Sequence, residues 1–245
     1  MAMSGGVDSS VAAALLKQQG HEVIGLHLKL YHGAEQDSRP KSCCSLDEAM
    51  DARAVCHRLE IPFYVLDVQE EFRSEVIDYF IREYQDGRTP NPCVMCNRTI
   101  KSRYLLKKAD ELDCELLATG HYARSQQESG SGGWALARPA DLRKDQTYFL
   151  WGVERESLPR LCFPLADHVK PRVRRMASEL DFAAADKPDS QEVCFVPRDY
   201  RQFLAAELPE TPEPGEFVDT EGKVLGAHQG LPYYTVGQRR GLGVS

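Results

Sequence analysis

Met3-Ser4-Gly5-Gly6-Val7-Asp8-Ser9-Ser10 stands at the start of a 245-residue chain and governs how the rest is read. Two adjacent glycines permit a tight turn and let backbone N–H groups come close to a ligand. Val7, Val11 and Leu15 then recur every four positions, and Gly20 stands where a helix would end. The stretch reads as a glycine-rich turn feeding a helix N-terminus, with Ser4, Ser9 and Ser10 adding hydroxyl donors. Backbone donors and the positive end of the helix dipole converge there, which suits a phosphate. The Gly-Lys-Ser/Thr ending of a Walker A loop and the third-glycine spacing of a dinucleotide fingerprint are both missing. The glycines alone fit an ordinary turn capping a helix; the complete string is more restrictive.

Outward from this turn, residues 22–31 mix continuous and alternating apolar character, as a buried parallel strand does. Residues 32–42 are polar and read as a mobile loop, Ser45 opens an Ala-rich helix to Leu59, and 61–68 form a second strand. Strand–helix alternation predicts an α/β fold with a doubly wound, mostly parallel sheet, whose ligands collect at the carboxyl ends of the strands. A strand belongs in front of the opening turn, yet only residues 1–3 precede it, so a trimmed or misassigned start is expected to weaken the sheet. A long helix spans 70–84, and 114–119 is a further strand ending in Thr119-Gly120-His121-Tyr122. The catalytic domain is placed at 1–208. Pro209, Pro212, Pro214 and Gly215 mark a linker, and 209–245 read as the beginning of a small β-rich domain with a turn at Glu221-Gly222.

Asp86 to Asn97 carries Pro90 and Pro92, which stiffen the approach and argue against helix there, while Ile100, Tyr104, Leu105, Ala109 and Leu112 follow helical spacing from an Asn97 N-cap. Cys96 would then sit just ahead of a helix N-terminus. From Gly87 to Ala109 the chain carries Arg88, Arg98, Lys101, Arg103, Lys107 and Lys108 and no acid. Dipole and cations both favour a thiolate at Cys96, and the same cations could receive a polyanion. A solvated basic face is the plain alternative. A zinc site built on Cys93 and Cys96 would need a second pair, and Cys43-Cys44 is poorly spaced for it. His168 to Arg175 is a second acid-free basic run, either a phosphate-backbone contact or a charged helix face. Cys194 falls in a short strand, where an isolated cysteine is usually a small buried hydrophobe. Partnership with Cys96 would make it chemical.

Thirty basic and 37 acidic residues give a net charge of −7, which argues against indiscriminate nucleic-acid binding but not against a local basic site. No apolar run reaches membrane-spanning length and no cationic-apolar leader is present, which leads us to expect a cytoplasmic protein without a membrane. Eight cysteines in a chain of this length are not a secreted disulfide scaffold.

The opening string resembles the PP-loop of ATP pyrophosphatases, which split ATP between its α- and β-phosphates. Together with Asn91-Pro-Cys-Val-Met-Cys-Asn97, Thr119-Gly-His-Tyr122, Lys144-Asp-Gln146, Asp189-Ser-Gln-Glu-Val-Cys194 and Gly237-Gln-Arg-Arg-Gly-Leu-Gly243, it is similar to the bacterial tRNA-specific 2-thiouridylases. The motifs follow that family's order along nearly the whole chain. The resemblance implies ATP against Ala2, Met3, Ser4, Gly5, Gly6, Val7, Asp8 and Ser9, its adenine near Leu28 and Gly120, with Mg²⁺ on the triphosphate. It implies adenylation of the C2 carbonyl oxygen of a wobble uridine, and a persulfide on Cys194 delivered by a sulfur-relay protein or cysteine desulfurase. Cys96 would be the second thiol and disulfide partner. Asn91, Pro92 and Cys93 would meet the flipped-out base, and Lys144, Asp145 and Gln146 the tRNA.

Two departures bear on this. The family has a complete central domain and a C-terminal β-barrel, so a chain ending at Ser245 is expected to bind ATP while gripping tRNA weakly. Position 93 is Asp in some members and Cys here. Cys93, Cys96 and Cys194 could then hold an iron–sulfur cluster with one open iron, a second reading of the same substrate. Two further readings are a PP-loop ATP pyrophosphatase that amidates a small molecule and a metal-stabilised RNA-binding module without catalysis.

Overall fold

The computed structural model describes residues 1–31, 46–130, 132–189, 193–196 and 199–244. The expected loop at 32–42, the Cys43-Cys44 pair and Ser190, Gln191 and Glu192 lie outside them. Helix α1 (Val7–Gln18) leads to β1 (Gly25–Lys29), then α2 (Leu46–Arg58) and β2 (Phe63–Asp67). The long helix runs through α3 (Gln69–Phe72), a π-helical turn and α4 (Asp78–Gln85). Next come α5 (Pro92–Arg98), a second π-helical turn and α6 (Leu105–Glu111). After β3 (Leu117–Ala118), strands β4 (Arg124–Gln127) and β5 (Trp134–Ala137) form an antiparallel hairpin that the sequence reading missed. Then follow α7 (Thr147–Leu150), β6 (Leu161–Cys162), α8 (Lys170–Glu179), α9 (Tyr200–Glu207) and the hairpin β7 (Gly215–Val218) and β8 (Val224–His228).

Strands β1 and β2 pair in parallel, as do β3 and β6. The first residues join the two pairs. Ala2 N–H donates to Ala118 at 2.8 Å, Met3 N–H donates to Leu26 at 2.8 Å, and Leu26 N–H donates to Met1 at 2.9 Å. The short segment expected to weaken the sheet therefore lies at its middle, hydrogen-bonded on both sides. Alternate strand residues face opposite layers. Leu26, Leu28, Leu117 and Leu161 enter one core with α3, α4, α5, α6 and α9, while Met1, Met3 and Ala118 enter another with α1, α2 and α8. Helices on both faces of a mostly parallel sheet make the expected doubly wound architecture.

Two local expectations fail for identifiable reasons. Helix α5 begins at Pro92, whose fixed φ and missing N–H suit a first helical position. Its N-cap is Asn91, whose side chain accepts from Val94 N–H at 3.3 Å, not Asn97. Residues 193–196 form a turn closed by Val196 N–H on the Val193 carbonyl at 3.1 Å, not a strand. Phe195 is what fixes that turn. Its ring is 1% exposed and meets Phe72 at 5.7 Å, Phe80 at 5.3 Å and Phe203 at 5.3 Å, all edge-on. Replacing Phe195 by Ala should therefore cost about 3–5 kcal/mol, measured as a lowered urea midpoint. A loss below about 1 kcal/mol would show that the aromatic cluster does not hold the turn.

Candidate active site

The opening turn is built by packing as well as by conformation. Gly5 has φ +79°, and a Cβ there would stand 2.3 Å from the Glu48 carbonyl oxygen at the start of α2. Gly6 is the α1 N-cap and offers no side-chain cap, which leaves the first-turn N–H groups without intrahelical acceptors. The serines brace the turn. Ser9 Oγ donates to the Gly6 carbonyl at 3.1 Å, receives Ser4 N–H at 3.2 Å and lies 3.1 Å from Ser4 Oγ. Ser10 Oγ donates to the same Gly6 carbonyl at 2.9 Å. Just beyond β3, Gly120 presses on this turn so closely that a Cβ would lie 2.8 Å from Ser9 N. The missing side chain at 120 is thus filled by the turn itself; Leu28 is buried in β1.

Around Asp8 the structure gathers residues from five separate stretches. Tyr122 Oη donates to Asp8 Oδ1 at 2.9 Å, and Lys170 Nζ donates to Oδ1 at 2.8 Å and Oδ2 at 2.6 Å. Lys170 also lies 2.8 Å from Asp189 Oδ1, and its side chain is only 7% exposed. Asp189 further receives Lys144 at 2.6 Å and Arg174 at 2.9 Å. Burial alone would push the Asp189 carboxyl up, but hydrogen bonds from Lys144 and Lys170 outweigh it and hold it down at about 2. Arg174 donates as well to the carbonyls of Ala185 and Lys187, and Lys187 pairs with Asp51 on α2. At Lys170 and Arg174 the basic run 168–175 is therefore not a plain solvated face: both pair with Asp189. The sequence places Lys170 in that basic run but does not reveal its pairing with Asp8 and Asp189. The available signal was its place before Pro171 at a helix start.

The three polar residues expected to meet RNA have partners inside the chain. Lys144 holds Asp189. Asp145 accepts from Thr147 N–H at 3.0 Å, Thr147 Oγ1 at 2.7 Å and Arg138 at 2.6 Å. Gln146 Oε1 accepts from Tyr122 N–H at 2.9 Å, and Gln146 N–H returns to the Tyr122 carbonyl at 3.0 Å. Beyond them Tyr148 and Trp151 stand 65% and 68% exposed.

Cys96 lies inside α5, buried, and not ahead of a helix start; Cys93, half-buried, is nearer the N-terminus. Because Pro92 opens the helix, Cys96 sits past its first turn, where the helix dipole does little to favour a thiolate. Cys96 nevertheless belongs to the buried cluster that holds Phe195, and Cys194 packs against that same cluster. Among the described residues, no group of three or more His, Cys, Asp or Glu is arranged to hold a metal ion, so Cys93, Cys96 and Cys194 do not form the cluster site. Part of the acid-free basic stretch is neutralised from elsewhere: Arg88 by Glu83 and Asp86, Arg103 by Glu75, and Lys108 by Glu111. Arg98 and Lys107 are exposed.

A glycine turn at a helix start, at the carboxyl edge of a doubly wound sheet, places an anion-accepting helix N-terminus where α/β proteins of this architecture hold their ligands. The family described as tRNA methyl transferase HUP domain matches residues 1–198, and the tRNA methyl transferase PRC-barrel domain matches 201–245. The chain is 51% identical over its whole length to tRNA-specific 2-thiouridylase MnmA of Heliobacterium modesticaldum, and 51% identical to that of Symbiobacterium thermophilum. To that of Carboxydothermus hydrogenoformans it is 50% identical, again along its entire length. It spans 64%, 64% and 68% of those relatives. The chain belongs to the tRNA-specific 2-thiouridylase family. No helix among the described residues is long and apolar enough to cross a membrane.

His121 supplies a test of the site's packing. Its Nδ1 lies 2.7 Å from Thr119 Oγ1, and burial, with Lys101 nearby, pushes the imidazole down to about 3 from 6.5. The unfolded chain takes a proton on this ring below about 6.5 while the folded chain does not until about 3, so stability falls as pH drops through that window. His121→Gln should flatten the fall in urea midpoint between pH 7 and about pH 4.5. An unchanged pH slope would contradict this assignment.

Proposed function

We propose that this chain performs ATP-dependent 2-thiolation of the wobble uridine in tRNA. The observation that supports it most is the chain of contacts from the nucleotide turn to both cysteines. Asp8 is bonded to Lys170 and Lys170 to Asp189, in the motif that ends at Cys194, beside Phe195 in the cluster containing Cys96. Uridine O2 is a poor leaving group, so it must be activated, and attack of O2 on the α-phosphate of ATP makes it the phosphate ester of AMP with release of pyrophosphate. The N–H groups of Val7, Asp8 and Ser9 would receive the phosphates. Mg²⁺ commonly binds through one or two carboxylates together with substrate phosphates, and Asp8 is the carboxylate placed to serve. Bound there, the ion would neutralise the triphosphate.

The terminal sulfur of a persulfide on Cys194 then attacks C2, and the C2–O bond breaks as AMP leaves. Attack by Cys96 on Cys194 Sγ releases the thiocarbonyl and leaves a Cys96–Cys194 disulfide, which a thiol reductant must reopen. A sulfur-relay protein or cysteine desulfurase supplies the persulfide. Asn91, Pro92 and Cys93 are assigned to the flipped base, and Lys144, Asp145 and Gln146 to the adjoining tRNA, where exposed Tyr148 and Trp151 could stack unpaired bases. Among the described residues no three cysteines gather as iron–sulfur thiolation requires, and amidation of a small molecule leaves both cysteines idle. The chain, ATP, a persulfide donor and unmodified tRNA should yield pyrophosphate and thiouridine. Cys96→Ser and Cys194→Ser should each abolish thiouridine while ATP still binds, and Asp8→Ala should cut pyrophosphate release by about a hundredfold or more. Thiouridine formed at the normal rate by either cysteine variant would refute the two-thiol mechanism.

A further inference from the structure

The β-rich unit seats residues 231–236 on the end of α4 and on the loop that leads to α5. Gly87 closes α4 in the left-handed region at φ +70°, and a Cβ there would lie 2.8 Å from Leu231 Cδ2, so the leucine covers the missing side chain. Two residues on, Thr89 Oγ1 accepts Val236 N–H at 3.1 Å. Behind the loop, Tyr84 of α4 stacks on Tyr200 of α9 with ring centres 4.8 Å apart, and Tyr200 Oη donates to the Tyr233 carbonyl at 2.9 Å. Tyr233 itself packs against the apolar cluster that holds Cys96. Arg88, between the two contacted residues, turns back to Glu83 and Asp86. Beyond Thr89 only Pro90 precedes Asn91, the N-cap of α5, and Pro92 follows it. Two prolines with fixed φ leave little slack between the anchored loop and the first turn of α5. A shift of 231–236 is therefore passed on to Asn91 and Cys93.

We infer that residues 231–236 of the β-rich unit hold the base-receiving loop in place, with Tyr200 and Leu231 as positioning residues for the reaction. The unit thereby acts on the chemistry through the chain itself, apart from any contact with RNA. Asn91, Pro92 and Cys93 are presented already ordered, so the flipped uridine does not bear the cost of ordering them. The inference rests on the assignment of that loop to the base. The seat lies apart from the hydrogen bonds that brace the nucleotide turn, so ATP binding should not depend on it.

The test compares the unsubstituted chain with Tyr200→Phe, which keeps the ring and removes the bond to Tyr233, with Leu231→Ala, which uncovers Gly87, and with the double variant. Hydrogen exchange of a peptide spanning 86–97 is followed by mass spectrometry, with a peptide from α1 as reference. Calorimetry reports binding of an ATP analogue that resists cleavage between the α- and β-phosphates, and thiouridine formation gives kcat and KM for unmodified tRNA. In the double variant the 86–97 peptide should exchange several-fold faster while the α1 peptide is unchanged. Its kcat/KM for tRNA should fall about fivefold or more with analogue binding intact. Each single variant should show part of both effects, and Tyr200→Phe alone replaces the double variant if thermal melting shows the latter unfolded. Unaltered exchange across 86–97 would overturn the inference and leave the base assignment standing. Faster exchange with an unchanged kcat/KM for tRNA would overturn both. Analogue binding weakened as much as tRNA use would show a general loosening of the fold and overturn the inference. If the unsubstituted chain forms no thiouridine, the proposed function fails, and the exchange rates still decide whether 231–236 hold the loop.

Discussion

An ammonium enclosed between two carboxylates holds its surroundings only while all three groups stay in register. Lys170, Asp8 and Asp189 form such a set, and each comes from a different stretch of chain. Desolvating the lysine is costly, and the cost is met by placing every donor on an acceptor. Removing the cation would leave Asp8 with only the neutral Tyr122 hydroxyl, while Asp189 keeps Lys144 and Arg174, a change worth up to about 3–5 kcal/mol. The ion set thus does for the site what the apolar layers do for the fold: it makes the position of one segment depend on the position of another.

That dependence explains why the remaining motifs lie where they do. Tyr122 reaches Asp8 through its hydroxyl, and its backbone exchanges hydrogen bonds with Gln146. Lys144 reaches Asp189. Asp141 caps the turn before Lys144 and accepts the backbone N–H of Lys170 at 2.9 Å, tying the start of α8 to the same loop. Polar residues that a sequence reading assigns to an external ligand are therefore also the internal frame of the site. The two assignments are compatible, because a surface that binds a flexible polyanion gains from side chains already held in place.

How far the sequence could be read depends on the range of the interactions involved. The turn at Gly5-Gly6, the helix after it and the strand–helix alternation are local patterns, and the structure has them where periodicity puts them. Pro92 was misjudged because proline stops a helix from the inside but suits its first position, and the spacing alone does not distinguish the two. The 87–109 stretch looked uniformly cationic because its acids, Glu75 and Glu83 among them, arrive from the preceding helix. The inward turn of Lys170 was hidden for the same reason: its partners at 8 and 189 are far away in sequence, and its place before Pro171 marks a helix start without saying what the side chain meets, whereas Arg172 pairs at the surface with Glu179. Residues 193–196 followed Phe195 into an aromatic cluster, which outweighed the β-propensity of Val193 and Val196.

The account turns on whether the thiols at 96 and 194 can meet. Both belong to the packing around one apolar cluster, one inside it and one against it. The most direct measurement is mild oxidation of the folded chain with ATP bound, followed by proteolysis and mass spectrometry of the non-reduced peptides. The account predicts a disulfide joining Cys96 to Cys194 that forms ahead of other pairings and disappears on reduction. Oxidation that couples either cysteine to another position, and never the two to each other, would contradict it.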